Sequence, residues 1–145
     1  RACHKRRLLR HKRERCMSDN YFVIDAQLPS LNEYQNACRS NPIVGAKFKE
    51  DTESVILWAL LQAKQSRTAH RVKEYPVQIK ITWHEKDKRR DVDNIKSAAK
   101  FILDAMTKSG LIKDDGRRFV SQIYDYVVDD KKTFVVVEIL KEGTI

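Results

Sequence analysis

Residues 75–86, YPVQIKITWHEK, alternate strictly: Val77, Ile79, Ile81 and Trp83 fall on one side, Gln78, Lys80, Thr82 and His84 on the other. A period of two over this length specifies a half-buried strand. The period then changes. Over 93–109 a helical repeat carries Ile95, Ala98, Ala99, Ile102, Ala105 and Met106 as an apolar stripe, with Gly110 where a C-cap belongs. Two more strand runs follow, FVSQIYDYVVD and TFVVVEIL, joined by the short polar turn DKK. Upstream, NYFVIDAQL reads as a first strand stopped by Pro29. Residues 48–65 read as a helix with Glu50, Asp51 and Glu53 in its first turn and Lys64 in its last. The segment between them, SLNEYQNACRSNPIVGAK, is polar and holds Pro42 and Gly45, so it reads as a long loop of the kind that carries function. The order is β-α-β-α-β-β, an α+β domain with a small mixed β-sheet and two main helices on one face. No Gly-rich turn follows any strand and the chain has only 4 glycines, which disfavours a doubly wound nucleotide-binding fold.

A chain of 145 residues suits one domain, assigned here to residues 17–145. The formal charge of +9 points to an anionic partner, but it is unevenly spread. Residues 1–16, RACHKRRLLRHKRERC, hold eight Lys/Arg and one Glu, so they carry +7 of it. With Met17 directly after it, this leader reads as vector-derived or translated upstream sequence; a basic arm for nucleic acid is the functional alternative. The longest wholly apolar run, VILWALL, falls far short of a bilayer span, and no secretory signal is visible. Of 3 cysteines two lie in the leader, leaving Cys38 without a partner for a disulfide or a zinc knuckle. A reducing, cytoplasmic compartment fits.

The chemistry concentrates in RRDVDNIKSAAKFILDAM, where Asp91 and Asp93 stand one residue apart behind Arg89 and Arg90. Asp93 is placed to N-cap the following helix. A helix advances about 100° per residue, so Ser97, Lys100, Asp104 and Lys108 share the Asp93 face. A third acidic element, Asp114 and Asp115, lies in a loop closed by Gly116. If that loop folds back, the carboxylates converge, and hard oxygen ligands in that number suit magnesium or manganese. The arginines then approach phosphate instead of cancelling the aspartates. The blander reading makes Asp93 a cap, Asp91 a salt-bridge partner and Asp-Asp-Gly a turn.

The ordered set RRDVDN, KFILDAM and SGLIKDDG resembles the RusA family of Holliday junction resolvases, as carried by phages and prophages, and LPSLNEYQNACRSN is similar to the family's loop after the first strand. The resemblance covers residues 20–140. It implies a homodimeric, Mg²⁺-dependent endonuclease (Mn²⁺ a possible substitute) that nicks four-way DNA junctions symmetrically in recombination and repair. By position it implies catalytic roles for Asp91, Asp93, Asp115 and a lysine, and metal contacts from Asp91, Asp93, Asp114 and Asp115. The family's spacing rules for the lysine conflict here, giving Lys96 by one count and Lys100 by the other. The shared face with Asp93 favours Lys100, leaving Lys96 as a DNA contact. Further DNA contacts are expected from Arg89, Arg90, Arg117, Arg118, Asn32 and Arg39.

Other residues read more plainly. His84 reads as a strand-surface residue, with a general base as the alternative, Glu85 as a solvated charge, with a fourth metal ligand as the alternative, and Tyr34 as either a base-stacking or a packing residue. Trp58 and Leu61 read as core, with a dimer contact as the alternative. Two rival functions stay open: a module that binds branched DNA without cutting it, and a phosphohydrolase acting on small nucleotides.

Overall fold

The computed structural model describes residues 18–141, so the basic leader lies outside the described residues. The elements are β1 (Tyr21–Ile24), α1 (Leu31–Ser40), α2 (Pro42–Gln65), β2 (Val77–Glu85), α3 (Val92–Lys96), α4 (Ala99–Lys108), β3 (Val120–Asp129) and β4 (Phe134–Lys141). They form an α+β domain around one four-stranded mixed sheet ordered β1-β4-β2-β3. β2 runs parallel to β3 and antiparallel to β4, and β1 pairs antiparallel with β4. The β2–β3 pair with α3 and α4 between them is a parallel crossover unit.

The alternating face of β2 behaves as expected: Val77, Ile79, Ile81 and Trp83 are buried in the main core with Phe22, Ile56, Leu60, Phe101, Ile102 and Met106. Each of the large fully buried side chains contributes on the order of 2–3 kcal/mol through removal from water. The other face of β2 is not the solvated side that a half-buried strand implies. Gln78, His84 and Glu85 are buried there or at the strand end, and Tyr21, Phe134, Val136 and Leu140 are buried outside the main core cluster. β2 is central, and Lys80 and His84 meet protein partners there instead of water, while Gln78 Oε1 is buried without a hydrogen-bond partner. Lys80 pairs with Glu138 at 3.8 Å, and His84 Nδ1 lies 3.0 Å from Asp130 Oδ2 with its ring stacked on Phe134.

The expected long loop is helical instead. Ser30 Oγ accepts the Glu33 N–H at 3.2 Å and opens α1, the first half of a Ser-x-x-Glu capping box. Asn41 ends α1 by donating its N–H to Ala37 O, then opens α2 by accepting the Ile43 N–H on Oδ1 at 2.8 Å. Pro42 occupies the first helical position, where its missing N–H costs nothing. Gly45 lets the two helices touch, since a Cβ there would lie 2.6 Å from Cys38 Sγ and 2.9 Å from Cys38 Cα. The residues read as loop punctuation are caps and a close-approach point.

The helix after β2 is also not continuous. Ser97 and Ala98 separate α3 from α4, with three-residue hydrogen bonds such as Ala98 N–H to Ile95 O at 3.4 Å. The predicted apolar stripe is nevertheless buried at Ile95, Ala98, Ile102, Ala105 and Met106. Gly110, at φ 78, supplies the left-handed residue that ends α4. β3 and β4 follow each other in the chain but do not pair. Their link steps over the end of β2, where Asp130 N–H donates to Glu85 O at 2.9 Å and Lys86 N–H to Thr133 Oγ1 at 3.2 Å.

Candidate active site

The carboxyl end of β2 is where the first acidic pair is mounted. Arg90 is turned inward: Nη2 donates to Glu85 Oε1 at 2.8 Å and Nη1 to Leu28 O at 2.7 Å, with the two side chains 17% and 8% exposed. Its Nε is buried without a hydrogen-bond partner. This corrects two expectations. Arg90 does not face solvent as a phosphate contact, and Glu85 is neither solvated nor free to ligate, because each neutralises the other in a largely buried corner. The clamp joins the end of β2 to the segment after β1 and fixes the backbone immediately before Asp91.

Asp91, not Asp93, is the N-cap residue of α3, and its side chain makes no capping bond. Asp93 sits in the first turn. Both are exposed, and among the described residues neither has an ion-pair partner. Neighbouring Asn94 is tied to α1: Asn32 Nδ2 donates to Asn94 Oδ1 at 3.1 Å. Beside them Leu31 N–H donates to Ser97 Oγ at 2.9 Å, and that hydroxyl donates to Asn94 O at 2.7 Å. Ser97 thus faces α1 instead of sharing a solvent face with Asp93 and Lys100, and Asn32 is brought to the acidic element. Arg39, in the last turn of the ten-residue α1, lies roughly 12 Å along the axis from that end.

Lys96 is the exposed last residue of α3. Lys100 is the second residue of the next helix, its side chain 65% exposed and 3.9 Å from Asp104, which also lies 3.9 Å from Lys49. Lys108 belongs to another group: it pairs with the buried Glu53, and that hydrogen bond is the main cause of a pKa raised above the ordinary 10.5. Tyr34 packs edge-on against Phe101 at 5.6 Å, and hydrogen bonding to Cys38 is the leading cause that raises its phenol above the usual range. It is a packing residue. Arg89 is largely exposed, with Asp87 3.8 Å away.

The second acidic pair sits at the opposite end of the crossover unit. Lys113 N–H donates to the Tyr75 hydroxyl at 2.8 Å, and Val77 N–H donates to Phe119 O at 2.9 Å, so the intervening Asp114 and Asp115 lie at the amino end of β2. β2 is nine residues long, which puts this loop roughly 26 Å from the Glu85 corner. Asp114, Asp115, Arg117 and Arg118 are all exposed. A Cβ on Gly116 would lie 3.2 Å from Asp114 Oδ2, so the carboxylate folds over the glycine. Within one chain the expected convergence therefore does not occur. Among the described residues no three His, Cys, Asp or Glu side chains stand close enough to hold a metal ion. No helix among them is long and apolar enough to cross a membrane.

Sequence reasoning missed the Arg90–Glu85 clamp and the part played by Ser97. A carboxylate at a strand end five residues before an arginine was the available signal for the first; nothing in the local pattern marks the second.

Compared with known proteins, residues 10–140 match the family described as Endodeoxyribonuclease RusA. Among curated proteins none matches the chain.

Proposed function

Because the chain belongs to the RusA endodeoxyribonuclease family, and so is a junction-resolving nuclease acting on branched DNA, we propose that it resolves four-way junctions as a Mg²⁺-dependent homodimer whose active sites are shared between subunits. In this reading Asp91 and Asp93 of one copy and Asp115 of the partner subunit hold the cation. Asp114 orients that third carboxylate.

The carrying observation is the state of Asp91 and Asp93: two exposed carboxylates, unpaired among the described residues, on a helix start anchored by Arg90 beneath and Asn32 beside it. Such a pair repels itself in the absence of a cation, and its hard oxygen donors fit Mg²⁺ or Mn²⁺. When bound, the ion supplies a water of lowered pKa and charge stabilisation at the phosphate. The protein's own groups do the rest. Lys100, only loosely paired with Asp104, sets a positive charge toward the scissile phosphate. Arg89, Lys96, Arg117 and Arg118 hold neighbouring phosphates, with Asn32 bordering the strand path; Arg39 takes a more distant phosphate. Arg90 acts through Asp91 as a positioning residue. The setting we assign is cytoplasmic recombination and repair of phage or prophage DNA.

The roughly 26 Å of β2 between the second acidic pair and the Glu85 corner favours one alternative: a lone copy binds branched DNA without cutting it. The test incubates the protein with four-way junctions, linear duplex and nucleotides, in Mg²⁺ or EDTA, beside Asp91→Asn. Junction-selective nicks lost in EDTA and in the variant support the proposal. Binding without nicking supports the alternative, and nucleotide turnover would discard both.

A further inference from the structure

Residues 69–76 join α2 to β2 without regular structure, yet their backbone is held at three points. His70 N–H donates to Asn20 Oδ1 at 3.0 Å, while Asn20 Nδ2 donates to His70 O at 2.8 Å. Val72 N–H donates to Leu111 O at 2.9 Å. The Tyr75 hydroxyl donates to Val72 O at 3.2 Å and accepts the Lys113 N–H at 2.8 Å. Val72 packs on the core, and its neighbours Arg71 and Lys73 are exposed. Asn20, only 9% exposed, thus helps to fix a strap whose outward side chains are charged.

Charge is arranged differently at the two ends of β2. At its carboxyl end Lys88, Arg89, Arg90 and Lys132 each have a carboxylate within 3.9 Å. At its amino end, among the described residues, Arg71, Lys73, Arg117 and Arg118 have no ion-pair partner, and Lys113 lies 5.9 Å over the Phe119 ring instead. The acids of that end, Asp19, Glu74, Asp114 and Asp115, lie beyond ion-pair distance of them. Cations without counter-charges on a fixed backbone suit a polyanion, because less has to be ordered when it binds.

We propose that the strap is a DNA-arm contact: Arg71 and Lys73 hold phosphates of the duplex arm leaving the cut, extending the row begun by Arg117 and Arg118. The partner is the branched DNA on which the family acts; only the position of the cut beside Asp115 rests on the reading above. Leu111 is bonded to Val72 and lies four residues before Asp115, so the strap is within roughly 14 Å of that carboxylate along the chain. That is about four phosphate steps along one strand of B-form DNA. Arg71 and Lys73 are themselves no more than roughly 7 Å apart, about two steps. An open groove runs between the strap and the start of β1 and end of β4, with Arg71 and Lys73 on one wall and Lys141 on the other. It gives the DNA backbone a bed beside the acidic loop. The competing role for the two cations is to offset Asp114 and Asp115 across space, which would show as stability instead of binding.

The test titrates the full chain against a fluorescent four-way junction in EDTA over a salt series, so that binding is read without cutting. Arg71→Ala/Lys73→Ala should lower the salt slope by about 1.8, two phosphate contacts. A fourfold rise in salt then weakens the wild type about 12-fold more than the variant. Glu74→Gln, which removes the acid next to Lys73, should tighten binding. A neutral methylphosphonate linkage moved one position at a time along the arm locates the contact. Within about four nucleotides of the cut it should weaken the wild type and leave the double variant indifferent. Should the double variant fail to fold, Glu74→Gln and the wild-type scan decide. An unchanged slope overturns the strap and leaves the nuclease reading intact; an unchanged slope with a lowered urea midpoint overturns it in favour of the offsetting role. A lowered slope with the sensitive linkage far from the cut keeps the strap and removes Asp115 from the cut site.

Discussion

Arg90→Met offers a sharp test of how the first acidic pair is held. The substitution removes a guanidinium bonded at 2.8 Å to Glu85 and 2.7 Å to Leu28 O, and leaves a carboxylate 8% exposed with no counter-charge. Breaking a buried pair from one side costs about 3–5 kcal/mol. Arg90 keeps 17% of its side-chain exposure, so water reaches the hole and the lower end applies, about 3 kcal/mol. For a domain of this size that is a fall of roughly 10 °C in Tm. Urea unfolding gives the number directly. Adding Glu85→Leu removes the stranded charge, so the double variant should be more stable than Arg90→Met alone, a coupling of about 1 kcal/mol or more in a double-mutant cycle. The competing view, in which Arg90 grips a phosphate, makes a different prediction: little loss of stability and a salt slope of junction binding shallower by about 0.9. A loss under about 1 kcal/mol together with that slope change would refute the positioning role.

Four further outcomes follow from the same structure. Asp115→Asn and Asp91→Asn, both at exposed positions, should leave urea stability within about 0.5 kcal/mol while lowering junction nicking at least about 100-fold. Arg117→Ala should reduce the salt slope of junction binding by about 0.9 in a titration against ionic strength, with the fold untouched. Gly45→Ala drives a methyl against Cys38, backbone included, and should cost about 1–3 kcal/mol by urea unfolding. Lys108 has a raised pKa in the fold, chiefly from Glu53. Its contribution is therefore fully present below the unfolded value of 10.5 and lost as pH climbs through the higher folded one, so stability should fall above that point and Lys108→Met should flatten the fall.

What could be read from residues alone depended on whether the signal was local. The core face of β2 and the stripe from Ile95 to Met106 were legible because side-chain period is a property of a short segment. The α+β class followed from the order of such segments. α1 escapes a residue-by-residue reading because Pro42 and Gly45 look like loop punctuation, although Ser30 with Glu33 and Asn41 with Pro42 spell two helix starts. The burial of His84 and Glu85 was invisible for a different reason: it depends on β4 inserting beside β2, and strand order is not written in either strand. The acidic elements were found, but their separation was not. Asp91 and Asp115 lie at opposite ends of a crossover unit, and only the parallel pairing of β2 with β3 says so.

Asn41 closes one helix with its backbone and starts the next with its side chain, leaving no slack residue at the junction. Each residue inserted there would swing α1 by about 100° and translate it about 1.5 Å along its axis, carrying Asn32 off Asn94. Chain length is therefore frozen at this elbow. Insertions at 41 that abolish DNA cutting would be the evolutionary mark of that constraint.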